Sequence, residues 1–360
     1  MSRPRTSSLF LGCGLILSCL ALLIFPREIS SSIQQALNIY ASTVFPSLFP
    51  FFILTSLVVD LGFSQKLGMF FSPLTSRLFH LRGACSCPLI LGFIGGYPSG
   101  AKAAVDLYCQ HQCSKEEAHC LLSFCNNCGP SFFIGVVGST IFHSISVGFF
   151  LYGIHIVSSL VVGFLFCSLH SNTLSNDSPT LYVFQATSFP VALIHAVTNA
   201  FHSLLNICSF FLFFSVLLRI LSCTGISVLL SFILTHVIPI SHAQAKSLLY
   251  GILEITSGIV ALQPQRTVQN LLLCSVLLAW GSWSVHIQTI SLLADTDLSI
   301  KPYLLGKLLH ALFCGIFCVA ALLPGFRIPV LFALSFLGVF LFFRKKEVAN
   351  KQKVYYNSDT

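Results

Sequence analysis

The chain has 360 residues, 55% of them hydrophobic and only 8% charged, and its mean hydropathy is +0.86. Soluble domains carry roughly a quarter charged residues, so this composition excludes a soluble enzyme or binding module and points to an all-α polytopic membrane protein whose first partner is the lipid bilayer. The net charge of +8 sits mostly at the two ends and in one loop; with no basic face or recognition motif beside it, it gives no ground for a nucleic-acid partner.

Arg3 and Arg5 precede an apolar run from Leu9 to Phe25. No small-residue cleavage site follows, so residues 1–35 read as a first membrane helix with a cytoplasmic N-terminus rather than a signal peptide. The next span, about Ala36 to Val59, opens a first repeat over residues 36–167. Its prolines Pro46 and Pro50 each remove an intrahelical hydrogen bond, which predicts a kink. Lys66, Arg77, His80 and Arg82, between Asp60 and Gly83, read as a basic cytoplasmic loop.

The stretch from Gly92 to Gly138 organises the rest. It places two helix-breaking clusters, Gly95-Gly96-Tyr97-Pro98-Ser99-Gly100 and Asn126-Asn127-Cys128-Gly129-Pro130, within strongly apolar sequence. Freed backbone groups at membrane depth are tolerated only where they are buried in protein or line a cavity, so a cavity is expected here. Between the clusters, Ser114 and Glu117 have the spacing of a capping box, which predicts a helix from Lys115 to about Cys125. A further span covers Ser144 to Cys167, and a polar linker without lysine or arginine, residues 168–190, divides the chain.

The second half, residues 191–323, repeats the plan. Thr198 to Leu204 answers Thr43 to Leu48, Ser257-Gly258 answers Ser99-Gly100, and Gly281-Ser282-Trp283-Ser284 answers Gly129-Pro130-Ser131, in one order and at nearly one offset. Internal duplication with broken helices is common in secondary transporters, whose site lies where the repeats meet. The competing reading is that Ser and Gly are simply frequent in packed membrane helices. Loop charges in the second half are too few to decide between inverted and parallel repeats. A last membrane helix over residues 324–343 is capped by Arg344-Lys345-Lys346, which puts the tail, residues 344–360, in the cytoplasm. Both termini inside implies an even number of crossings, about eight to ten with re-entrant segments counted.

Candidate site residues follow from the breaks. Gly95, Gly96, Tyr97, Pro98, Ser99 and Gly100 form the first, with Lys102 just inside the new half-helix. That lysine and the helix N-terminus together favour an anion, unless Lys102 pairs with Asp106 four residues on. Asn126, Asn127, Gly129, Pro130 and Ser131 form the second break, where the amides suit a polar ligand or hold the loop closed on itself. In the other half, Ser257, Gly258, Gly281 and Ser282 are the counterparts. Glu254 is the only acidic residue in the second half's spans before Asp295. A carboxylate isolated in low dielectric can exchange a proton or bind a cation, which marks Glu254 for ion coupling with a proton or sodium ion; the bland alternative is a hydrogen-bonded packing carboxyl. Most of the 15 cysteines are scattered singly through apolar runs and read as small hydrophobes. Cys125-x-x-Cys128 has no second pair at matched spacing, so neither a metal nor another cofactor is expected.

The strings FPSLFPFFILTSLVV, GGYPSGAK, SKEEA and FCNNCGPSFFIG together resemble the YlbJ-type sporulation integral membrane proteins of the wider nucleoside-recognition gate group. The resemblance spans about Ala36 to Phe343 and is densest from Gly92 to Gly138; LEITSG and GSWS match more loosely. It implies a duplicated helical protein of a bacterial inner membrane, of cell or forespore, related to nucleoside transporters. It also implies movement of a small aromatic dicarboxylate, dipicolinate, in spore formers. The leading expectation is thus a secondary transporter for a small anionic organic solute, dipicolinate-like or nucleoside-related, and not an enzyme. No GxxxxGK[ST] loop is present to power it directly. A non-transporting assembly or signalling protein is one alternative. An intramembrane serine protease using Ser99 is another, but neither GxSxG nor HExxH accompanies that serine.

Overall fold

The computed structural model describes residues 5–170, 188–262 and 264–326, and it is helical throughout. The linker, apart from its ends, the last membrane helix at 328–343 and the basic tail lie outside the described residues. The helices are α1 (Arg5–Ile24), α2 (Pro26–Ile39), α3 (Phe45–Asp60), α4 (Phe63–Phe79), α5 (Ser86–Gly95), α6 (Ser99–Cys109), α7 (Lys115–Phe124) and α8 (Ile145–His170). After the linker come α9 (Phe189–Cys223), α10 (Ile226–Val237), α11 (His242–Leu253), α12 (Ile255–Val260), α13 (Val268–Trp280), α14 (Ser282–Leu293) and α15 (Lys301–Leu322).

Five of the described segments are long and apolar enough to cross a membrane, or seven if two sharply bent pairs count as one span each. The bends are 104° between Met69–Phe79 and Gly83–Gly95, and 116° between Ile226–Val237 and His242–Leu253. Two shorter apolar helices, Gly14–Ile24 and Ser131–Ile141, come in addition.

Two local expectations change. The span that sequence begins at Ala36 runs from Pro26 to Val58, because Pro26 opens α2 and the chain continues through a π-helical turn, Tyr40–Val44, into α3. The wide turn has a cause. Pro46 has no N–H to give to the carbonyl four residues back, and just before it Phe45 N–H reaches Tyr40 O, five residues back. The basic loop between Asp60 and Gly83 is instead mostly helix α4. Gly62 (φ 73°) and His80 (φ 55°) stand in left-handed conformation at its two ends, and Phe70 projects outward, 76% exposed.

The order of elements repeats. A long helix (α3; α9) leads to a second helix (α4; α10), two broken pairs (α5–α6 and α7–Ser131–Ile141; α11–α12 and α13–α14) and a last long helix (α8; α15). The halves pack through α3 on α9, beside which Tyr40 of the π-helical turn donates to Leu204 O at 2.5 Å, and through α15 on α7, α8 and α13. Close approach needs glycine at Gly306, whose added Cβ would lie 2.0 Å from Ser123 O. At one end, Asp297 of the second half accepts from Lys115 Nζ and Tyr108 OH of the first, each at 2.7 Å, and the lysine holds this exposed carboxyl below its usual range.

The capping box forms as the spacing predicts. Ser114 Oγ accepts from Glu117 N at 3.2 Å, and the Glu117 carboxylate accepts from Ser114 N at 2.8 Å and Arg82 N at 3.0 Å, with Arg82 Nε at 3.3 Å. Ser114→Ala is expected to cost about 1 kcal/mol, read as a small fall in the melting temperature of the purified protein; an unchanged melt would show that Glu117 alone sets this helix start.

Candidate functional site

The site is built from four places where a helix stops and restarts. At the first, α5 ends at Gly95, Gly96 takes φ 77°, and a cis Tyr97–Pro98 bond leads into α6. Ser99 Oγ closes this turn by donating to Gly96 O at 2.6 Å, with Leu91 O at 3.0 Å. At the second, α7 ends and the chain runs without regular structure through Asn126, Asn127, Cys128 and Gly129 before Pro130 opens the π-helical segment Ser131–Ile141. The two breaks touch backbone to backbone: a Cβ on Gly96 would lie 2.9 Å from Gly129 N, and Cβ atoms on Gly92 and Gly100 would fall 1.6 and 2.0 Å from Cys125 O.

At the third break Glu254 ends α11 and begins α12 at φ −144°, ψ 121°, and its carboxylate accepts from Thr256 N at 3.0 Å and Ser257 N at 2.6 Å. Carboxylates suit this place because a helix N-terminus carries free N–H groups and partial positive charge. At the fourth, Gly281 (φ 90°) and Ser282 (φ 71°) separate α13 from α14.

All four breaks converge on one cavity of about 70 Å³. It is lined by Gly95, Gly96 and Tyr97 from the first, Cys128, Gly129 and Ser131 from the second, Glu254, Ile255 and Thr256 from the third, and Ser284, Val285 and Gln288 just after the fourth; α3 and α9 close it with Leu48, Phe52 and Ile207. Behind Tyr97 lies a residue that the sequence reading passed over. Lys307 of α15, 1% exposed, donates to Tyr97 OH at 2.9 Å and to Asn126 O at 3.0 Å, and its ammonium lies 4.9 Å from the Tyr97 ring centroid. Tyr97 OH in turn donates to Leu278 O at 3.0 Å and lies against Gly281, so this lysine joins the first, second and fourth breaks. No carboxylate pairs with it among the described residues.

Of the residues named from sequence, Gly95, Gly96, Tyr97, Gly129, Ser131 and Glu254 line the cavity. Asn126 and Asn127 are buried beside it. Their amide nitrogens donate to Thr289 Oγ1 at 3.1 Å and Phe124 O at 2.7 Å, while both side-chain carbonyl oxygens are buried without a partner. Pro98, Ser99, Gly100 and Pro130 shape the turns without lining the cavity. Gly258 packs on Gly251, and its carbonyl accepts from Ser247 Oγ at 2.7 Å. Ser257 opens onto a second space described below, and Gly281 and Ser282 stand beside Tyr97 and Lys307. Lys102 does not enter the cavity. It is exposed, as is Asp106 one turn on, because α6 turns Ala101, Ala104 and Val105 inward. The Ser99 hydroxyl donates to backbone carbonyls, Gly96 O and Leu91 O, and is used in closing the turn.

A metal centre is not what the nearest donor cluster describes. His155, His310 and Cys314 bring one donor atom each within 4.8 Å of one another. However, Cys128 N–H donates to His155 Nε2 at 3.3 Å and His310 Nε2 meets His155 O at 2.9 Å. Metal on His155 Nδ1 would put that ring's proton on Nε2, facing the Cys128 N–H.

Lys307 could have been found from sequence. It lies in KPYLLGKLLH, inside an apolar helix of 22 residues, and an ionisable residue there is a functional candidate by default.

The fold is a helical membrane fold similar to that of CNTnw. It matches CNTnw in an inward-facing, substrate-bound state with a TM-score of 0.56 at 15% identity, covering 87% of this chain and 86% of that one. A doubly substituted CNTnw in an outward-facing state matches with the same TM-score at 13% identity, over 89% and 85%. Residues 41–143, which hold both breaks of the first half, match the Gate family, described as nucleoside recognition. The particular relative is the sporulation integral membrane protein YlbJ of Bacillus subtilis (strain 168). The chain is similar to it at 27% identity over 348 residues, 88% of this chain and 83% of that protein.

Proposed function

We propose that this protein is a secondary transporter that moves a small anionic organic solute, a dipicolinate-like dicarboxylate or a nucleoside-related molecule, across a bacterial inner membrane with both termini cytoplasmic. The observation that carries the reading is Lys307: a buried ammonium without a counter-carboxylate, held by two neutral oxygens at the meeting of three helix breaks. Desolvating a charge costs several kcal/mol unless something compensates, and an incoming carboxylate or phosphate is a partner of the right sign. The unpartnered carbonyls of Asn126 and Asn127, with Gln288 in the lining, offer acceptors and donors for a polar ring.

A cavity of 70 Å³ is well below the roughly 300–1,000 Å³ of small-ligand pockets, so a solute-bound state needs the hairpins to separate. That requirement fits a carrier that alternates between access to each side. The test is uptake into proteoliposomes of labelled dipicolinate and labelled uridine under a proton or a sodium gradient. Accumulation of either supports the reading and chooses the substrate; movement of neither under any gradient sinks it.

Glu254 is the proposed coupling group. When ionised it holds the first turn of α12 through two N–H bonds, and protonation weakens both. Glu254→Gln is expected to retain solute exchange between equal compartments while losing gradient-driven accumulation at least about tenfold, since one unit of pKa or one decade of coupling is about 1.4 kcal/mol. Gradient-driven accumulation at wild-type level in that variant would leave Glu254 a packing cap.

A further inference from the structure

A second space lies along the same helices. It is an open pocket of about 340 Å³ between α2, α9 and the α11–α12 pair, the size of a small-ligand site. Its lining holds two cations, Arg219 and Lys246, with hydroxyls and an amide from Gln35, Ser215, Tyr250 and Ser257, and it contains no Asp or Glu among the described residues. Arg219 is only part-exposed, and its Nε is buried without a hydrogen-bond partner. Lys246, an exposed residue of the lining, stands with its ammonium 5.3 Å from the Tyr250 ring centroid.

The space is in line with the central cavity. On α9, Ile207 lines the central cavity while Phe211, Ser215 and Arg219 line the second space; each neighbours the next at a spacing of four, and twelve residues put Arg219 about 18 Å further along and roughly 120° round the helix. Across from α9, the opening turn of α12 is the wall between the two. Ile255 and Thr256 face the central cavity and Ser257 the second space, with Glu254 holding both turn N–H groups.

We infer that this space is an oxyanion antechamber, where a small dicarboxylate or a phosphate is held by Arg219 and Lys246 before it passes the first turn of α12. Two cations in a concave polar lining with no acid to neutralise them select an anion of charge near −2 and reject cations. The same chemistry is found in a phospholipid headgroup. A soluble anion fits better, because Arg219 shares its recess with the hydroxyl-bearing Ser215 and Ser257 and its Nε is buried. The passage to the central cavity rests on the transport reading; the binding of an anion here does not.

The test is calorimetric titration of isophthalate and of inorganic phosphate into the purified full-length protein, with isophthalamide as the neutral control. The expected result is saturable binding of the anions, weakened at least tenfold in Arg219→Gln/Lys246→Gln, weakened in the milder Lys246→Gln, and retained in Lys102→Gln, which removes an exposed cation outside both linings. Binding that survives the double variant and vanishes in Lys307→Met would put the anion in the central cavity and overturn the antechamber. Absence of saturable binding in the wild type would overturn it too. Nanodiscs of phosphatidylcholine and of phosphatidylglycerol separate the two sources: equal affinity for isophthalate in both supports a soluble ligand, and its loss in phosphatidylglycerol alone assigns the cations to lipid headgroups. Failure of the transport reading appears elsewhere, as proteoliposomes that move no solute although the anion still binds.

Discussion

Lys307→Met is expected to remove anionic solute uptake while leaving the protein as stable as before or more so. The two effects have opposite signs for a physical reason. Methionine fills a similar volume without a charge to desolvate, and replacing a buried charge by a well-packed apolar side chain is often neutral or stabilising. Tyr97 OH keeps its bond to Leu278 O, so the loss of the ammonium strands only one strong acceptor, the Asn126 carbonyl. A solute carboxylate, by contrast, loses a charged hydrogen-bond donor worth about 2–3 kcal/mol, or roughly 30- to 150-fold in affinity. Uptake at sub-saturating solute should fall by that factor, and the melting temperature in detergent should hold or rise. If uptake persists and the melt collapses, Lys307 is a structural tie between the breaks and the solute is held elsewhere.

The interruptions themselves were legible because their causes are local. Glycine, proline and asparagine in clusters cannot continue an apolar helix, and Ser114 with Glu117 fixes a helix start within four residues. Interruptions in the second half were legible from Ser257-Gly258 and Gly281-Ser282. The ties that Lys307 makes were not, because they run to Tyr97 and Asn126, 210 and 181 residues away in sequence. Lys102 stood out by nearness to a break, yet a helix turns 100° per residue, and Gly100, Ala101 and Ala104 take the inner face of α6. In α4, Lys66 and Arg77 suggested a loop by charge alone, while Phe70 and Phe71 on the same helix supply the apolar surface that the count of charges hid.

The arrangement of the site stands on how closely α5 and α6 close over the end of α7, and Gly92→Ala and Gly100→Ala test that closure. Each new Cβ would sit 1.6 or 2.0 Å from Cys125 O, a backbone atom that cannot swing aside as a side chain would. Relief requires moving the hairpin off α7, which separates Gly96 from Gly129 and draws Tyr97 away from Lys307. Overpacking of side chains costs typically 1–3 kcal/mol; against a fixed carbonyl the expected loss is at least ~3 kcal/mol, read as a large fall in melting temperature or as failure to recover folded protein. Gly153→Ala is the control. No heavy atom lies within 4 Å of its added Cβ, and in mid-helix alanine gains about 0.5–1 kcal/mol over glycine. Should all three variants melt together, the hairpin does not close on α7, and the cavity shared by the four breaks loses its geometric basis. Should Gly92→Ala and Gly100→Ala collapse while Gly153→Ala holds, the contact that brings Tyr97 to Lys307 is a property of these two glycines.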